Sequence, residues 1–169
     1  MSKIIWLTGL SGAGKSTLSN SLIKVLKKKN FNVKLIDGDI FRKNKKYKKN
    51  FSRKSIVTNN LKIINYINKI KSNYDYIIVA VISPIAKTRK KAKDFFKDQY
   101  FEVFVKCKIS ILKKRDTKGL YFKADKKIIN DLIGYKSKIK YERSTYKVIK
   151  IETDKLNLNE STRYLLKKI

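Results

Sequence analysis

Residues Gly9 to Ser16 read G-L-S-G-A-G-K-S and have the spacing G-x-x-x-x-G-K-[ST]. In such a loop several backbone N–H groups can point at one phosphate cluster, and the helix that follows adds the positive end of its dipole. Lys15 can reach the β- and γ-phosphates of a nucleoside triphosphate, and the Ser16 hydroxyl can bind Mg²⁺. We therefore predict an ATP site formed by Gly9, Ser11, Gly12, Ala13, Gly14, Lys15, Ser16 and Thr17.

Two further polar segments follow apolar runs. Asp37-Gly38-Asp39 comes directly after the run 31–36, and Ser83-Pro84 ends the run 76–82. The chain has no histidine, so acid–base chemistry falls to a carboxylate, a lysine or a tyrosine. Two carboxylates this close together, in a chain with only 13 acidic residues, are the first candidates.

The elements that must position these residues alternate along the chain. Apolar runs predict strands at 3–8, 31–36, 76–82, 101–107 and 146–152, and helical periodicity predicts helices at 16–29, 53–71, 86–97, 110–115 and 159–168. A basic loop is expected over residues 40–50, and residues 116–146 have no regular pattern. This order predicts an α/β P-loop NTPase fold with a parallel five-stranded sheet flanked by helices, whose ligands lie beyond the carboxyl ends of the strands.

Composition limits which other classes of protein this chain could belong to. We expect one domain over residues 1–169, with no signal peptide and no membrane-spanning stretch, and hence a cytoplasmic protein. The single cysteine, Cys107, is expected to be a core thiol at a strand end. The net charge of +30 comes mostly from dispersed lysines, with only six arginines among 43 basic residues. We favour solvated basic faces over a nucleic-acid surface or an electrostatic funnel for anionic substrates.

Several motifs together resemble one enzyme family almost end to end. They are residues 5–17, Asp37-Gly38-Asp39 with Arg42, Phe51-Ser52, Asn59, Ile82-Ser83-Pro84, residues 115–121 and residues 153–156. The family is that of the adenylylsulfate (APS) kinases, which use MgATP to phosphorylate the ribose 3′-hydroxyl of adenosine 5′-phosphosulfate.

The resemblance implies a role for each matched residue. Asp39 orients or deprotonates the acceptor hydroxyl, Asp37 acts through Mg²⁺ together with Ser16, and Lys15 and Lys118 place positive charge beside the transferring group. Residues 116–146 correspond to the family's mobile lid, and Arg115 falls on the ATP side. The implied acceptor-binding residues are Asp39, Arg42, Phe51, Asn59, Ile82, Ser83, Pro84, Lys118, Gly119, Leu120 and Leu132.

Departures from the family pattern fall mostly on the acceptor side. Ile56 stands where the family has a second arginine, Ile85 replaces a tyrosine, and Leu132 aligns with the phenylalanine that covers the acceptor's adenine. Of the lid's Asp-Pro-Tyr-Glu run only Tyr141-Glu142 remains. A smaller base and a less charged head group would suit these losses.

We therefore rank cytidine diphosphoramidate, the acceptor of a capsule-modifying relative, slightly ahead of APS. Arg53 and Lys54 lie near the Ile56 position and could replace the missing arginine, which keeps APS as a close second. A nucleic-acid-binding protein with a regulatory P-loop is the alternative of another class, and a polynucleotide kinase is a weaker one. A homodimer is the default assembly.

Overall fold

Five parallel strands form one sheet in the order β2-β3-β1-β4-β5. The computed structural model describes residues 1–43 and 52–169. The strands are β1 (Lys3–Thr8), β2 (Val33–Asp37), β3 (Tyr76–Ala80), β4 (Tyr100–Lys106) and β5 (Ile149–Glu152). All four pairings are parallel, with Ile5 opposite Ile78 on one side and Phe101 on the other. The α/β class and the five-stranded parallel sheet predicted from the sequence are confirmed.

Helices cover both faces of the sheet. They are α1 (Lys15–Lys28), α2 (Gly38–Lys43), α3 (Arg53–Ile70), α4 (Ala86–Phe96), α5 (Ile109–Arg115), α6 (Leu120–Asp125) and α7 (Leu158–Leu166). Short 3₁₀ turns at Lys71–Asn73 and Lys97–Gln99 follow α3 and α4. In the described residues, no helix has the length and apolarity needed to cross a membrane.

The core has one layer on each side of the sheet. Ile5 and Leu7 of β1 pack with Leu18, Leu22 and Leu26 of α1, in a cluster that also holds Leu165 of α7. Ile4 and Trp6 point to the other face, where α3 supplies Ile63, Ile64 and Ile67 and α4 supplies Ala92 and Phe96. Successive strand residues face opposite sides, so a strand covered on both faces reads as a continuous apolar run. Cys107 is buried at the end of β4, as predicted.

Two short helices differ from the prediction, which had a loop from residue 40 and no regular element within 116–146. Asp37 caps α2, because its Oδ1 accepts hydrogen bonds from the N–H groups of Asp39 and Ile40. Asp116 does the same for α6, where its carboxylate accepts from the N–H groups of Tyr121 and Phe122. Helices of six residues are too short to show a periodic apolar face, and capping residues decide their position.

Candidate active site

The loop between β1 and α1 has the conformation that its glycines allow. Gly9 has φ +142°, and a Cβ there would lie 2.2 Å from the carbonyl oxygen of Val105. Only glycine fits both the backbone angle and the close approach of β4. Gly14 adopts the left-handed conformation immediately before α1, so that the helix begins at Lys15 with its N-terminus facing the loop. This arrangement is the anion-binding geometry predicted for residues Gly9 to Thr17.

Lys15 lies folded over the loop. Its Nζ donates hydrogen bonds to the carbonyl oxygens of Gly9, at 2.9 Å, and Leu10, at 2.7 Å. Burial lowers the pKa of Lys15 to about 8, although the negative charge of Asp39 opposes that shift. A lysine held by two carbonyl oxygens can exchange them for phosphate oxygens with little loss of hydrogen bonding.

Ser16 and Asp37 meet across the carboxyl ends of β1 and β2. The Ser16 Oγ lies 3.5 Å from Oδ2 of Asp37, while the other carboxylate oxygen of Asp37 caps α2. A hydroxyl and a carboxylate are hard oxygen ligands of the type Mg²⁺ prefers, and Mg²⁺ commonly takes only one or two protein ligands beside substrate phosphates. The pair therefore fits the predicted Mg²⁺ site. Outside residues 44–51, no cluster of three or more His, Cys, Asp or Glu side chains could hold a metal alone.

Asp39 lies in the first turn of α2 and pairs with two cations. Lys118 Nζ donates to its Oδ2 at 2.7 Å, and the Arg42 guanidinium donates to its Oδ1. Partial burial would raise the pKa of Asp39, but the hydrogen bonds and charges of Lys118 and Arg42 outweigh burial and hold that pKa below its ordinary value. Asp39 is therefore a carboxylate at neutral pH, able to accept a proton or a hydrogen bond from a hydroxyl group.

A cleft opens beside Asp39 at the carboxyl ends of β2 and β3. Ser83 lines it with φ +43°, a backbone angle uncommon for a residue other than glycine, and Asn60 Nδ2 donates to the Ser83 Oγ at 2.8 Å. The lining residues are Arg42, Ser55, Ile56, Asn59, Asn60, Val81, Ile82, Ser83, Pro84 and Ile133. The structure thus brings Arg42, Asn59 and the Ile82–Ser83–Pro84 segment, all predicted to bind the acceptor, to one cleft.

Four predicted acceptor residues have other outcomes. Leu132 is buried in the core cluster on the α1 side of the sheet, whereas the next residue, Ile133, lines the cleft. Contact of Leu132 with an acceptor therefore stays a prediction, and Ile133 is a cleft residue that the sequence analysis did not assign. Phe51 lies outside the described residues. Gly119 precedes α6 in the left-handed conformation, Leu120 packs against the core, and their contact with an acceptor stays a prediction.

The ATP side contains residues that the sequence reasoning did not assign. Thr153, after β5, donates to the Ala13 carbonyl oxygen at 2.9 Å and contacts the guanidinium of the predicted Arg115. The Tyr121 hydroxyl donates to the Ser11 carbonyl oxygen at 2.9 Å. Thr153 and Tyr121 both lie in segments that match the family, 153–156 and 115–121, and that match was the available signal.

Comparison with known proteins identifies the family. The family model described as adenylylsulphate kinase matches residues 1–152. This chain belongs to the adenylylsulphate kinase family. Among curated family members, the probable adenylyl-sulfate kinase of Archaeoglobus fulgidus is 35% identical over 155 residues, which cover 92% of this chain and 98% of that protein. The adenylyl-sulfate kinase of Bacteroides thetaiotaomicron is 34% identical over 169 residues, covering 99% and 83%.

Solved structures of adenylylsulphate kinases also have the same fold as this chain. The APS kinase of Mycobacterium tuberculosis in complex with AMPPNP and APS superposes with a TM-score of 0.85 at 26% identity, covering 98% of this chain and 96% of that one. A gluconokinase from Sinorhizobium meliloti, with a TM-score of 0.57 at 14% identity, shares the fold alone. As an adenylylsulphate kinase family member, the protein is an ATP-dependent nucleotide kinase that uses Mg²⁺ and a hydroxyl acceptor.

Proposed function

We propose that this protein transfers the γ-phosphoryl group of ATP to the ribose 3′-hydroxyl of adenosine 5′-phosphosulfate. The observation that carries the proposal is the convergence of charged groups on one point. Lys118 and Arg42 both pair with the Asp39 carboxylate, and the Ser16 hydroxyl at the end of the phosphate-binding loop lies 3.5 Å from the Asp37 carboxylate. A carboxylate able to accept a proton and cations able to neutralise phosphate are therefore within reach of the same transferring group.

Each residue has a defined task in this proposal. The loop amides and Lys15 bind the ATP phosphates, and Asp39 accepts a hydrogen bond from the attacking ribose hydroxyl and orients its oxygen. Lys118, released from Asp39 when the acceptor hydroxyl takes that place, offers its ammonium group to the transferring phosphoryl. Ser16 and Asp37 would hold Mg²⁺, which would neutralise part of the negative charge of the phosphates.

APS is preferred over cytidine diphosphoramidate, which reverses the ranking made from the sequence. The relatives at 32–35% identity are named adenylyl-sulfate kinases, and a structural relative at 26% identity was solved with APS. These relatives and that complex support an APS acceptor better than a cytidine one.

One observation keeps cytidine diphosphoramidate as the second candidate. Ile56 and Ile133 both line the cleft, so part of its wall is apolar where recognition of a charged head group would favour a cation. Arg53 does not restore that charge, because its guanidinium pairs with Glu142 at 2.8 Å. In the described part of the cleft, Arg42 is the one charged lining residue.

The test is a product assay with both acceptors. The protein is incubated with γ-labelled MgATP and either APS or cytidine diphosphoramidate, and the 3′-phosphorylated nucleotide is separated by anion exchange. We expect kcat/KM for APS to exceed that for the cytidine nucleotide, and Lys15→Ala to abolish both reactions. A higher kcat/KM for the cytidine nucleotide would replace the proposal with its second candidate, and turnover of neither acceptor would refute both.

A further inference from the structure

Arg89 of α4 is a fully buried cation whose side chain is 0% exposed. Its Nη1 donates to the Ser83 carbonyl oxygen at 2.6 Å, its Nη2 to the Glu142 carbonyl oxygen at 2.5 Å, and its Nε to a Glu102 carboxylate oxygen at 2.9 Å. One guanidinium thus joins three separate segments of the chain: the cleft segment after β3, the strand β4, and residues 141–146.

Glu102, whose side chain is 2% exposed, balances the charge of Arg89. Ser144 donates to the carboxylate oxygen that Arg89 contacts, and the hydroxyl groups of Tyr146 and Tyr100 donate to the other. Burial and the Glu102 charge raise the pKa of both tyrosines, which keeps their hydroxyl groups protonated as donors. Each side-chain nitrogen of Arg89 and each carboxylate oxygen of Glu102 has a hydrogen-bond partner, but a buried ion pair is in general no more stabilising than apolar packing of the same volume. Its presence is better explained by the geometry it imposes than by stability.

That geometry concerns the wall of the acceptor cleft. Residues 141–146, the cleft strap, run alongside the segment from Ile82 to Ala86. The Glu142 N–H donates to the Pro84 carbonyl oxygen, and the Glu142 carboxylate accepts from the Ala86 N–H, both at 2.8 Å. The rings of Tyr141 and Phe104 are stacked with their centroids 5.0 Å apart. The guanidinium carbon of Arg89 lies 4.9 Å from the centroid of the Tyr141 ring.

Ser83 needs such support because its backbone is in a region that L-residues rarely adopt, with φ +43°. Asn60 fixes its hydroxyl and Arg89 fixes its carbonyl. Without the bond to Arg89, the carbonyl would be a buried acceptor without its strongest donor, and the peptide could relax to a common backbone angle.

We propose that Arg89 is a positioning residue for the acceptor side: its guanidinium holds the Ser83 backbone and the cleft strap in the shape that the acceptor nucleotide requires. This inference depends on the proposed kinase function for one premise, which is that the acceptor binds in this cleft. Among the described residues, none of the hydrogen bonds made by the Arg89 guanidinium reaches the phosphate-binding loop or Asp39, so we expect its loss to affect acceptor binding far more than ATP binding.

The variant Arg89→Lys tests this directly. Lysine keeps the charge that balances Glu102, but a single ammonium group lacks the planar fork that reaches Ser83 and Glu142 together. We expect KM for the acceptor to rise about tenfold or more, as for loss of hydrogen bonds from a charged group, while KM for ATP stays within about twofold. Lys91→Gln, at an exposed position of the same helix, is the matched control and should leave both constants unchanged.

A second readout needs no acceptor. In hydrogen exchange, Arg89→Lys should speed exchange of the Ala86 and Glu142 amides, which bond across the strap, without affecting the Leu18 amide in α1. This result would stand even if APS proved to be the wrong acceptor. If Arg89→Lys lowers thermal stability but leaves the acceptor KM and the strap amides unchanged, Arg89 is merely structural and the proposal is overturned.

Should Arg89→Lys fail to fold, Ser144→Ala decides the question. It removes a hydroxyl that contacts both Arg89 and Glu102 while leaving the ion pair in place. A rise of about threefold in the acceptor KM with an unchanged ATP KM, and faster exchange at Ala86, would support the proposal. An unchanged acceptor KM together with unchanged exchange of the Ala86 amide would refute it.

Discussion

The ammonium group of Lys118 donates a 2.7 Å hydrogen bond to Asp39 Oδ2, although the two residues are 79 positions apart. Asp39 belongs to the first turn of α2, at the end of β2, and Lys118 lies in the turn before α6. In the structure, the cation and the carboxylate proposed for phosphoryl transfer thus neutralise one another. The pair also keeps Asp39 ionised, because Lys118 and Arg42 lower its pKa against the effect of burial.

Replacement of Asp39 by asparagine should remove this carboxylate without disturbing the fold. The Asp39 side chain is 54% exposed and its ion pairs are at the surface, so we expect little change in the free energy of unfolding, but a loss of kcat by a factor of about 10² to 10⁴, as for removal of a general base. Steady-state kinetics and urea unfolding measure the two quantities. Asp94→Asn is the matched control, since Asp94 is an exposed carboxylate paired with Lys90 on α4. A kcat for Asp39→Asn equal to that of the control would remove Asp39 from the mechanism.

Introduction of an arginine at residue 56 should alter acceptor preference. Ile56→Arg adds a cation to the apolar part of the cleft wall, where Ile133 also lies. We expect KM for APS, whose head group is charged, to fall about threefold to tenfold, and KM for cytidine diphosphoramidate to change less. The two acceptors are compared under identical MgATP. A Lys54→Arg variant, at an exposed neighbouring position, shows whether added arginine has an effect anywhere on α3. Equal effects of both variants would argue against a head-group site beside Ile56.

The lowered pKa of Lys15 predicts a pH dependence of stability. The folded pKa is about 8 and the unfolded one about 10.5, so between these values the unfolded chain binds more protons and folding becomes more favourable as pH rises. Relative to Lys15→Met, the wild type should therefore gain up to about 2 kcal/mol between pH 7.5 and 10. Denaturant unfolding at each pH measures the difference, in which the effect of the other lysines cancels. A difference that stays constant with pH would show that burial does not act on Lys15.

The close approach of Gly9 to β4 predicts that this glycine cannot be replaced. A Cβ there would lie 2.2 Å from the Val105 carbonyl oxygen, and the backbone φ of +142° is unsuited to alanine. Gly9→Ala should cost roughly 3 kcal/mol of the free energy of unfolding, from steric overlap added to backbone strain. Gly119→Ala is the control, because that glycine has φ +62° but nothing within 4 Å of its Cβ position, and it should cost about 1 kcal/mol. Equal costs would mean that β4 yields to the added methyl group.

The sequence was most informative where chemistry or periodicity acts locally. The loop from Gly9 to Ser16 must bind phosphate through its own backbone, and the continuous apolar run of β3 must be buried on both faces, so both follow from neighbouring residues alone. Their places after apolar runs made Asp37, Asp39 and the Ser83-Pro84 segment candidates, and the family resemblance added a role for each. The short helices α2 and α6 were missed because a cap and one turn of helix leave almost no pattern.

The direction of side chains in irregular segments was a matter for the tertiary structure alone. Leu132 and Ile133 are adjacent and chemically similar, yet one is in the core and the other in the cleft. The same holds for Arg89, which the sequence places in a run of basic residues on a helix and which the fold buries against Glu102, Ser83 and Glu142. Motif spacing and apolar patterning predicted the phosphate-binding loop and the sheet, because these depend on local backbone requirements, and the resemblance of several motifs indicated the family. Pairings between residues tens of positions apart, such as Asp39 with Lys118 and Arg89 with Glu142, were decided only by packing, because the order of strands in the sheet brings those segments together.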